Sequence, residues 1–323
     1  MGWTTTLDVA KSSPLLVLLG PTAVGKSELA LSWAEAVDAE IIQADSTTVY
    51  RGFDIGTAKP DPEEQRRVPH HLIDVADPFD SERFTAARFQ ALGYQAVRCI
   101  TARGRVPLVV GGTGLFIRAL VDNYPFPPDP PAAVRLALEA RLQSEGLPAL
   151  RRQLRILDPE SFRIIAPGDA RRTLRALEVV WGTSHRLPRY PGPPRPALRV
   201  GLIRSRTVLA SRIAARTHAQ LRAGLLEEVL AHLKRGISPD APAFRALGYR
   251  EGALWARGRI ANGELEALIV RRTRQYAKRQ MTFFRHEHDV RWIDLDHVTE
   301  VEALRLLRVW SEPFSGRTLG PLS

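Results

Sequence analysis

The sequence predicts an α/β fold: a parallel sheet flanked by helices, interrupted by an all-helical insertion domain. Three observations predict it. Short apolar runs alternate with amphipathic patterns of helical period in the first third of the chain, as in successive βαβ units. Two proline clusters, Tyr124 to Pro131 and Leu187 to Pro196, bracket a middle segment. That segment carries apolar residues at helical spacing and few β-branched clusters. At 323 residues the chain is long enough for two domains, or one with a large insertion. Residues 1–123 and 197–323 are therefore expected to form the α/β core, and 124–196 the insertion.

The elements follow in order. Leu15 to Leu19 reads as a buried strand, followed by a helix from Ser27, a strand at Ile41 to Ala44, a helix near Thr85 to Ala102, a strand at Leu108 to Val110 and a helix from Thr113. Between the prolines, Ala133 to Leu142, Leu147 to Leu157 and Arg171 to Trp181 read as helices. Leu198 to Ile203 resumes the sheet, with long helices around Val208 to Lys234 and Glu264 to Phe284. A short strand, Val290 to Leu295, an amphipathic helix, Glu300 to Trp310, and a loose tail complete the chain.

Charge points to an anionic partner. Lys plus Arg is 46 against 35 for Asp plus Glu, a formal net charge of +11, and only five of those cations are Lys, leaving 41 Arg. The planar guanidinium fork grips phosphate at two points, although an Arg-rich surface can also be merely solvated. Cys99 is the only cysteine, so no intrachain disulfide and no cysteine-based zinc site can assemble. In the middle of a helical pattern it reads as a buried small residue. No apolar run approaches the length of a membrane span and no signal pattern opens the chain, so a cytoplasmic protein, acting as a monomer, is expected.

The sharpest motif is Gly20-Pro21-Thr22-Ala23-Val24-Gly25-Lys26-Ser27, which is G-x-x-x-x-G-K-S placed between an apolar strand and an amphipathic helix. The glycines let backbone N–H groups curl around phosphate oxygens and the helix N-terminus adds partial positive charge. Lys26 supplies a point charge, and the Ser27 hydroxyl can ligate Mg²⁺. The core is thus P-loop NTPase-like, and nucleotide binding, ATP included, is one expectation it carries. Many such proteins hold Mg²⁺ with an aspartate at the end of another strand. Here Leu108-Val109-Val110 instead runs into Gly111-Gly112-Thr113-Gly114, with no carboxylate. The acid follows the second strand: Asp45 stands where the βα loops of an open parallel sheet converge, as a candidate base or a helix cap.

Eight ordered segments make the chain resemble the bacterial tRNA dimethylallyltransferase (tRNA isopentenyltransferase) family. They are GPTAVGKS (from Gly20), DSTTVY (from Asp45), DIGTAKP (from Asp54), PHHLID (from Pro69), VGGTGLF (from Val110), RRTLRALEV (from Arg171), RALGYRE (from Arg245) and TRQYAKRQMTFFR (from Thr273). The resemblance implies transfer of a dimethylallyl group from dimethylallyl diphosphate to N6 of the adenosine 3′ of the anticodon, with Mg²⁺ as cofactor and the tRNA anticodon stem-loop as partner. It implies that Asp45 takes the amine proton, that Thr22 through Ser27 hold the diphosphate, that Thr113 bonds diphosphate or base, and that Arg216 neutralises the leaving group. Arg212, one turn away, either assists or forms a surface salt bridge.

For tRNA the resemblance implies Asp45, Ser46, Thr47, Thr48, Gly114, Arg171, Arg172, Arg175, Arg245, Gly248, Tyr249, Arg250, Arg274, Lys278 and Arg279. Two basic stripes agree: Arg172 and Arg175 at i, i+3, and Arg271, Arg274 and Lys278 at i, i+3, i+7. Taken alone, each stripe could be a solvated helix face. A flipped adenine needs partners to stack on, for which Tyr249, Phe283 and Phe284 are candidates, Phe283 more simply as core. The chain departs from the family pattern at Thr48, where Gln is common, at Phe283 for Trp and at Phe116 for Tyr. His70 and His71 read as structural, because adjacent residues point apart. A small-metabolite kinase and a non-catalytic RNA-binding module are the competing readings.

Overall fold

The computed structural model describes residues 13–183, 185–187 and 195–315. Six strands form one all-parallel sheet: β1 (Leu15–Leu19), β2 (Ala39–Ala44), β3 (His70–His71), β4 (Val106–Gly111), β5 (Ala197–Ile203) and β6 (Val290–Asp294), in the spatial order β3-β2-β4-β1-β5-β6. β1 lies between β4 and β5, with Val17 opposite both Val109 and Arg199. Every residue of β1 and β4 is buried, as expected for strands covered on both faces by helices. The chain divides into two compact units, Met1–Val121 with Arg195–Ser323, and Asp122–Pro194. The helical unit thus begins and ends two residues before 124 and 196.

Around the sheet lie α1 (Lys26–Val37), α2 (Pro62–Arg67), α3 (Ala86–Ala102) and α4 (Gly114–Val121). The helical unit contributes α5 (Ala132–Leu157), α6 (Pro159–Ile164) and α7 (Ala170–Thr183), and the second half supplies α8 (Arg206–Arg222), α9 (Leu225–Lys234), α10 (Tyr249–Ala256), α11 (Asn262–Phe284) and α12 (Glu300–Ser315). α1 buries Leu29, Ala30, Trp33, Ala34 and Val37 on one stripe. The Trp33 indole N–H donates to Ser311 Oγ at 2.8 Å, which fastens α12 across α1.

Four details differ from the sequence reading. The long helix expected over Val208 to Lys234 breaks at Gly224, whose φ of +98° only glycine adopts easily, giving α8 and α9. α2 has no buried residue and hence no periodic signal; an Asp61–Glu64 capping box and Pro62 at its first turn set it instead. The last helix continues past Trp310 to Ser315, and the expected loose tail beyond it lies outside the described residues. Cys99 is exposed: α3 buries Phe89, Gly93, Ala96, Val97 and Ile100, a stripe that leaves position 99 on the other side.

In the helical unit, α5 (Ala132–Leu157) contains a break at Gly146 (φ +75°) just before Pro148, so its two halves correspond to the two separate patterns in the sequence. Its core is Leu138, Leu150, Leu154, Ile165, Leu174, Ala176 and Leu177, closed by α6 (Pro159–Ile164) and α7 (Ala170–Thr183).

At the amino end of β2, far along the strand from Asp45, Glu40 is buried among cations. Arg103 donates to both its oxygens at 2.8 and 2.6 Å, and His71 Nε2 lies 2.6 Å from Oε2. Burial pushes this carboxyl up, but the hydrogen bonds and charges of Arg103 and His71 outweigh it and leave it below its ordinary value of 4.5. The stabilisation is therefore present above that ordinary value and lost as pH falls through the lowered one. Glu40→Gln should cost about 2 kcal/mol of unfolding free energy at neutral pH, read by urea denaturation, with the difference from wild type shrinking in acid.

Candidate active site

The carboxyl ends of three neighbouring strands build one cleft of about 1100 Å³. From β1 comes the glycine loop Gly20 to Ser27, from β4 the turn Gly111-Gly112-Thr113, and from β2 Asp45. Neighbouring strands sit about 4.8 Å apart, so the axes of β2 and β1, separated by β4, lie about 10 Å from each other. Backbone contact fixes this closeness. A Cβ on Gly111 would lie 2.1 Å from the Ala44 carbonyl oxygen, and Thr113 N–H donates to that same carbonyl at 3.1 Å.

The loop curls because Gly20, Ala23 and Gly25 all have positive φ (155°, 64° and 112°). Ala23 is the costly one, since a Cβ disfavours the left-handed region. Lys26 folds back, its Nζ donating to Gly20 O at 3.0 Å and Pro21 O at 2.7 Å. Burial, then the nearby Arg216 charge, pulls its ammonium down to about 7 against the opposing pull of Asp45. Arg216 on α8 reaches Thr22 Oγ1 (3.5 Å) and Thr57 O (3.4 Å), and burial likewise lowers it against Asp45. Two desolvated cations thus face a single carboxylate, an arrangement starved of negative charge.

Asp45 is half-buried and its Oδ1 accepts from Thr47 N–H at 2.8 Å and Thr47 Oγ1 at 2.6 Å. These bonds hold the carboxylate and leave its other oxygen open to the cleft. Thr113 Oγ1 accepts the Ser46 N–H at 3.1 Å, linking the β2 and β4 ends. Gln280 on α11 completes the frame: its Oε1 accepts Thr22 N–H and its Nε2 donates to Gly112 O, both at 2.9 Å. The Tyr276 phenol, one turn earlier, is driven up by burial and by the Asp45 charge, so it stays protonated beside the carboxylate. Ser27 is exposed at the cleft. Among the described residues no group of three His, Cys, Asp or Glu gathers to hold a metal. A lone hydroxyl beside a phosphate cradle suits Mg²⁺ held mainly by phosphate oxygens and water.

A family model described as IPP transferase matches residues 48–287, well over half the chain. The chain belongs to this family. It is 44% identical to the tRNA dimethylallyltransferase of Desulforudis audaxviator over 288 residues, 88% of this chain and 92% of that protein. It is 45% identical to that of Symbiobacterium thermophilum, covering 91% and 95%. The crystal structure of the full-length tRNA isopentenylpyrophosphate transferase from Bacillus halodurans matches with a TM-score of 0.70 at 36% identity, over 94% of this chain and 99% of that one. The parallel sheet with its glycine loop is the P-loop NTPase-like fold of these IPP transferases.

Within the family frame the structure sorts the expected site residues. Asp45, Thr22, Ala23, Gly25, Lys26, Ser27 and Arg216 gather in the cleft with Ser46, Thr47, Arg245, Arg250 and Arg279, while Val24 of the loop is buried in the core. Thr113 stands at the turn just described. Arg274 and Lys278 are exposed on α11 outside that lining, and Arg171 and Arg172 are exposed in the helical unit. Arg212 forms no surface salt bridge; its Nε donates to Ala23 O at 2.8 Å.

Three expected RNA contacts need correction. Thr48 is buried with its hydroxyl unpartnered, turned inward from the cleft. Tyr249 is fully buried: its hydroxyl donates to Glu228 Oε2 at 2.8 Å and accepts Gly56 N–H at 3.0 Å, and its ring packs on Phe53. Gly248, buried at φ +87°, starts α10 against Leu225. Arg175 pairs with the buried Glu178 at 3.3 Å while its own side chain stays 38% exposed. Gly114 lies against the Phe283 ring, where a Cβ would come within 2.2 Å. Phe284 is buried, so it offers no face for stacking; Phe283 is half-buried, with the Arg118 guanidinium 4.8 Å from its ring centre.

Gln280 and Tyr276 escaped the sequence reading. Both lie in the TRQYAKRQ run, but a polar residue within an amphipathic helix carries no signal of which loop it bridges.

The Lys26 shift sets a pH dependence. An anion at the loop needs the ammonium charged, and its arrival raises the lowered value. Affinity for inorganic pyrophosphate should be full below pH 7 and fall by up to tenfold per unit above it, with proton uptake on binding in calorimetry at pH 8. Lys26→Met should bind weakly with a flat profile.

Proposed function

We infer that the chain transfers a dimethylallyl group from dimethylallyl diphosphate to N6 of the adenosine 3′ of the anticodon in tRNA, releasing diphosphate. One observation carries the reading: a phosphate cradle and the Asp45 carboxylate share the cleft at the end of β4, which ends in glycines where a metal-holding aspartate would serve phosphoryl transfer. The names of its relatives point to the same reaction.

In this reading the N6–C1 bond forms as the bond from C1 to the diphosphate oxygen breaks. The amine proton passes to the free oxygen of Asp45, which Thr47 orients. The departing diphosphate is received by the loop N–H groups, Lys26 and Arg216, two cations that burial leaves short of counter-charge. Mg²⁺, when bound, would neutralise diphosphate oxygens, with Ser27 as its protein ligand. Thr113 holds Ser46 and so the approach of the base. Arg245, Arg250 and Arg279 supply phosphate contacts at the cleft, while Arg171, Arg172, Arg274 and Lys278 offer further contacts to the RNA backbone. The adenine must leave the anticodon stack to reach Asp45. Action in the cytoplasm and as a monomer belong to the same proposal; no described helix is long and apolar enough to cross a membrane.

The direct test mixes purified protein, Mg²⁺, dimethylallyl diphosphate and unmodified tRNA, digests the RNA and looks for prenylated adenosine by mass spectrometry. Absence of product would refute the activity, and transfer of label from γ-labelled ATP to an acceptor would favour a kinase. Asp45→Asn should cut turnover about 10²- to 10⁴-fold while tRNA affinity holds. Near-normal turnover would remove Asp45 from proton transfer. Arg274→Ala should weaken tRNA binding irrespective of sequence and reduce the slope of log K against log salt by about one. An unchanged slope would turn that face of α11 away from RNA.

A further inference from the structure

Three arginines grip three consecutive residues of the glycine loop. Arg216 reaches Thr22 Oγ1, Arg212 donates to Ala23 O, and Arg204 Nε donates to Val24 O at 2.9 Å. Arg216 faces the cleft and Arg212 sits at its edge, whereas Arg204 is absent from the cleft lining and its side chain is mostly covered. It stands at the end of β5, just before the N-cap of α8, and its remaining bonds go to the far edge of the sheet. Its Nη1 donates to Leu295 O at 2.8 Å and to Asp296 Oδ1 at 3.2 Å, just past β6. Asp296 Oδ2 in turn accepts the Ser205 N–H at 2.7 Å, and Ser205 Oγ caps α8 through Val208 N–H. The same carboxylate therefore orients Arg204 and fixes the start of the helix that carries Arg212 and Arg216.

The consequence is mechanical. A peptide carbonyl drawn toward one side sends its amide N–H neighbours toward the other. With Ala23 O and Val24 O each bonded to a guanidinium, the orientation of the peptide planes that carry the next N–H groups of the loop is fixed. These bonds also hold Ala23 at φ +64°, a conformation its Cβ disfavours and a relaxed loop would abandon. Both guanidiniums come within 3.9 Å of the site a Gly25 Cβ would occupy, so their charge lies against the back of the loop as well.

We propose that Arg204 and Asp296 form a positioning pair that holds the glycine loop in its diphosphate-binding shape, making donor affinity depend on the loop after β6. The pair touches no reacting atom; it acts through Val24 and through the N-terminus of α8. This rests on the reading of the cleft as a diphosphate site, and the test separates the two.

Calorimetry with inorganic pyrophosphate and Mg²⁺ on the full chain is the primary readout, with steady-state kinetics and tRNA binding beside it. Arg204→Ala and Asp296→Asn should each raise the pyrophosphate Kd and the KM for dimethylallyl diphosphate at least tenfold. The kcat at saturating donor should stay within about threefold of wild type and tRNA affinity should be unchanged. Arg204→Lys should fail to rescue, because one ammonium cannot span Val24 O and Asp296. The double variant should be little worse than Arg204→Ala, since the two residues act as one unit. Arg206→Ala, which removes a charge from an exposed neighbouring position, should bind pyrophosphate as wild type does, separating tethering from general electrostatics. Should Arg204→Ala not fold, the nearly isosteric Asp296→Asn carries the test. Wild-type pyrophosphate affinity in Asp296→Asn and Arg204→Ala, or a loss confined to kcat, overturns the pair. Wild-type protein that binds no pyrophosphate overturns the reading of the cleft itself.

Discussion

The site depends on how closely three strand ends approach one another. Gly111 has no room for a side chain because the Ala44 carbonyl occupies that space, and Gly112 has none because the Gln280 amide does. These contacts lock the ends of β2 and β4 together and tie both to the glycine loop of β1. Asp45 and Lys26 then stand across the cleft from each other without any side chain of β4 between them. A larger residue at either glycine would widen the gap, and a reaction that needs its acceptor, carbon centre and leaving group in line tolerates little widening.

Electrostatics follow from that frame. Lys26 and Arg216 are both lowered by burial, and Asp45 is the carboxylate that opposes the lowering in each. One carboxylate cannot satisfy two desolvated cations, so the unbound cleft holds unspent positive charge. An anion bound at the glycine loop would supply the missing negative charge and share with Asp45 the neutralising of both cations.

Legibility in the sequence tracked locality. The glycine loop was readable because its chemistry lies in eight consecutive residues between a strand and a helix. Asp45 was readable because strand ends in a parallel sheet converge. The paired helical patterns on either side of Gly146 were readable because a periodic stripe and a breaker are both local. Failures came where a residue's job is set by a distant segment. Tyr249, in a motif that suggests RNA, spends its hydroxyl on Glu228 and on the Gly56 amide, 193 positions away. Gln280 bridges Thr22 and Gly112 from the far end of the chain, and nothing in its neighbours says so. Cys99 shows a third kind of failure: being one residue off a buried stripe moves a side chain about 100° around the helix.

The absence of a carboxylate at the end of β4 separates this cleft from phosphoryl-transfer sites on the same kind of core. Phosphoryl transfer breaks a bond at phosphorus, so the metal and its aspartate must sit at the phosphate that moves. Alkyl transfer breaks the bond on the carbon side, and the phosphates never change partners. They need only be held and discharged, a task for which loop amides, Lys26 and Arg216 are suited. The carboxylate is then wanted beyond the carbon, beside the nucleophile, at a distance from the cradle. A shift of the acid from the strand next to the loop to the strand after it, about 5 Å further along the sheet, accomplishes that. In this chain the carboxylate accordingly stands at Asp45, just past β2, while β4 ends in Gly111 and Gly112.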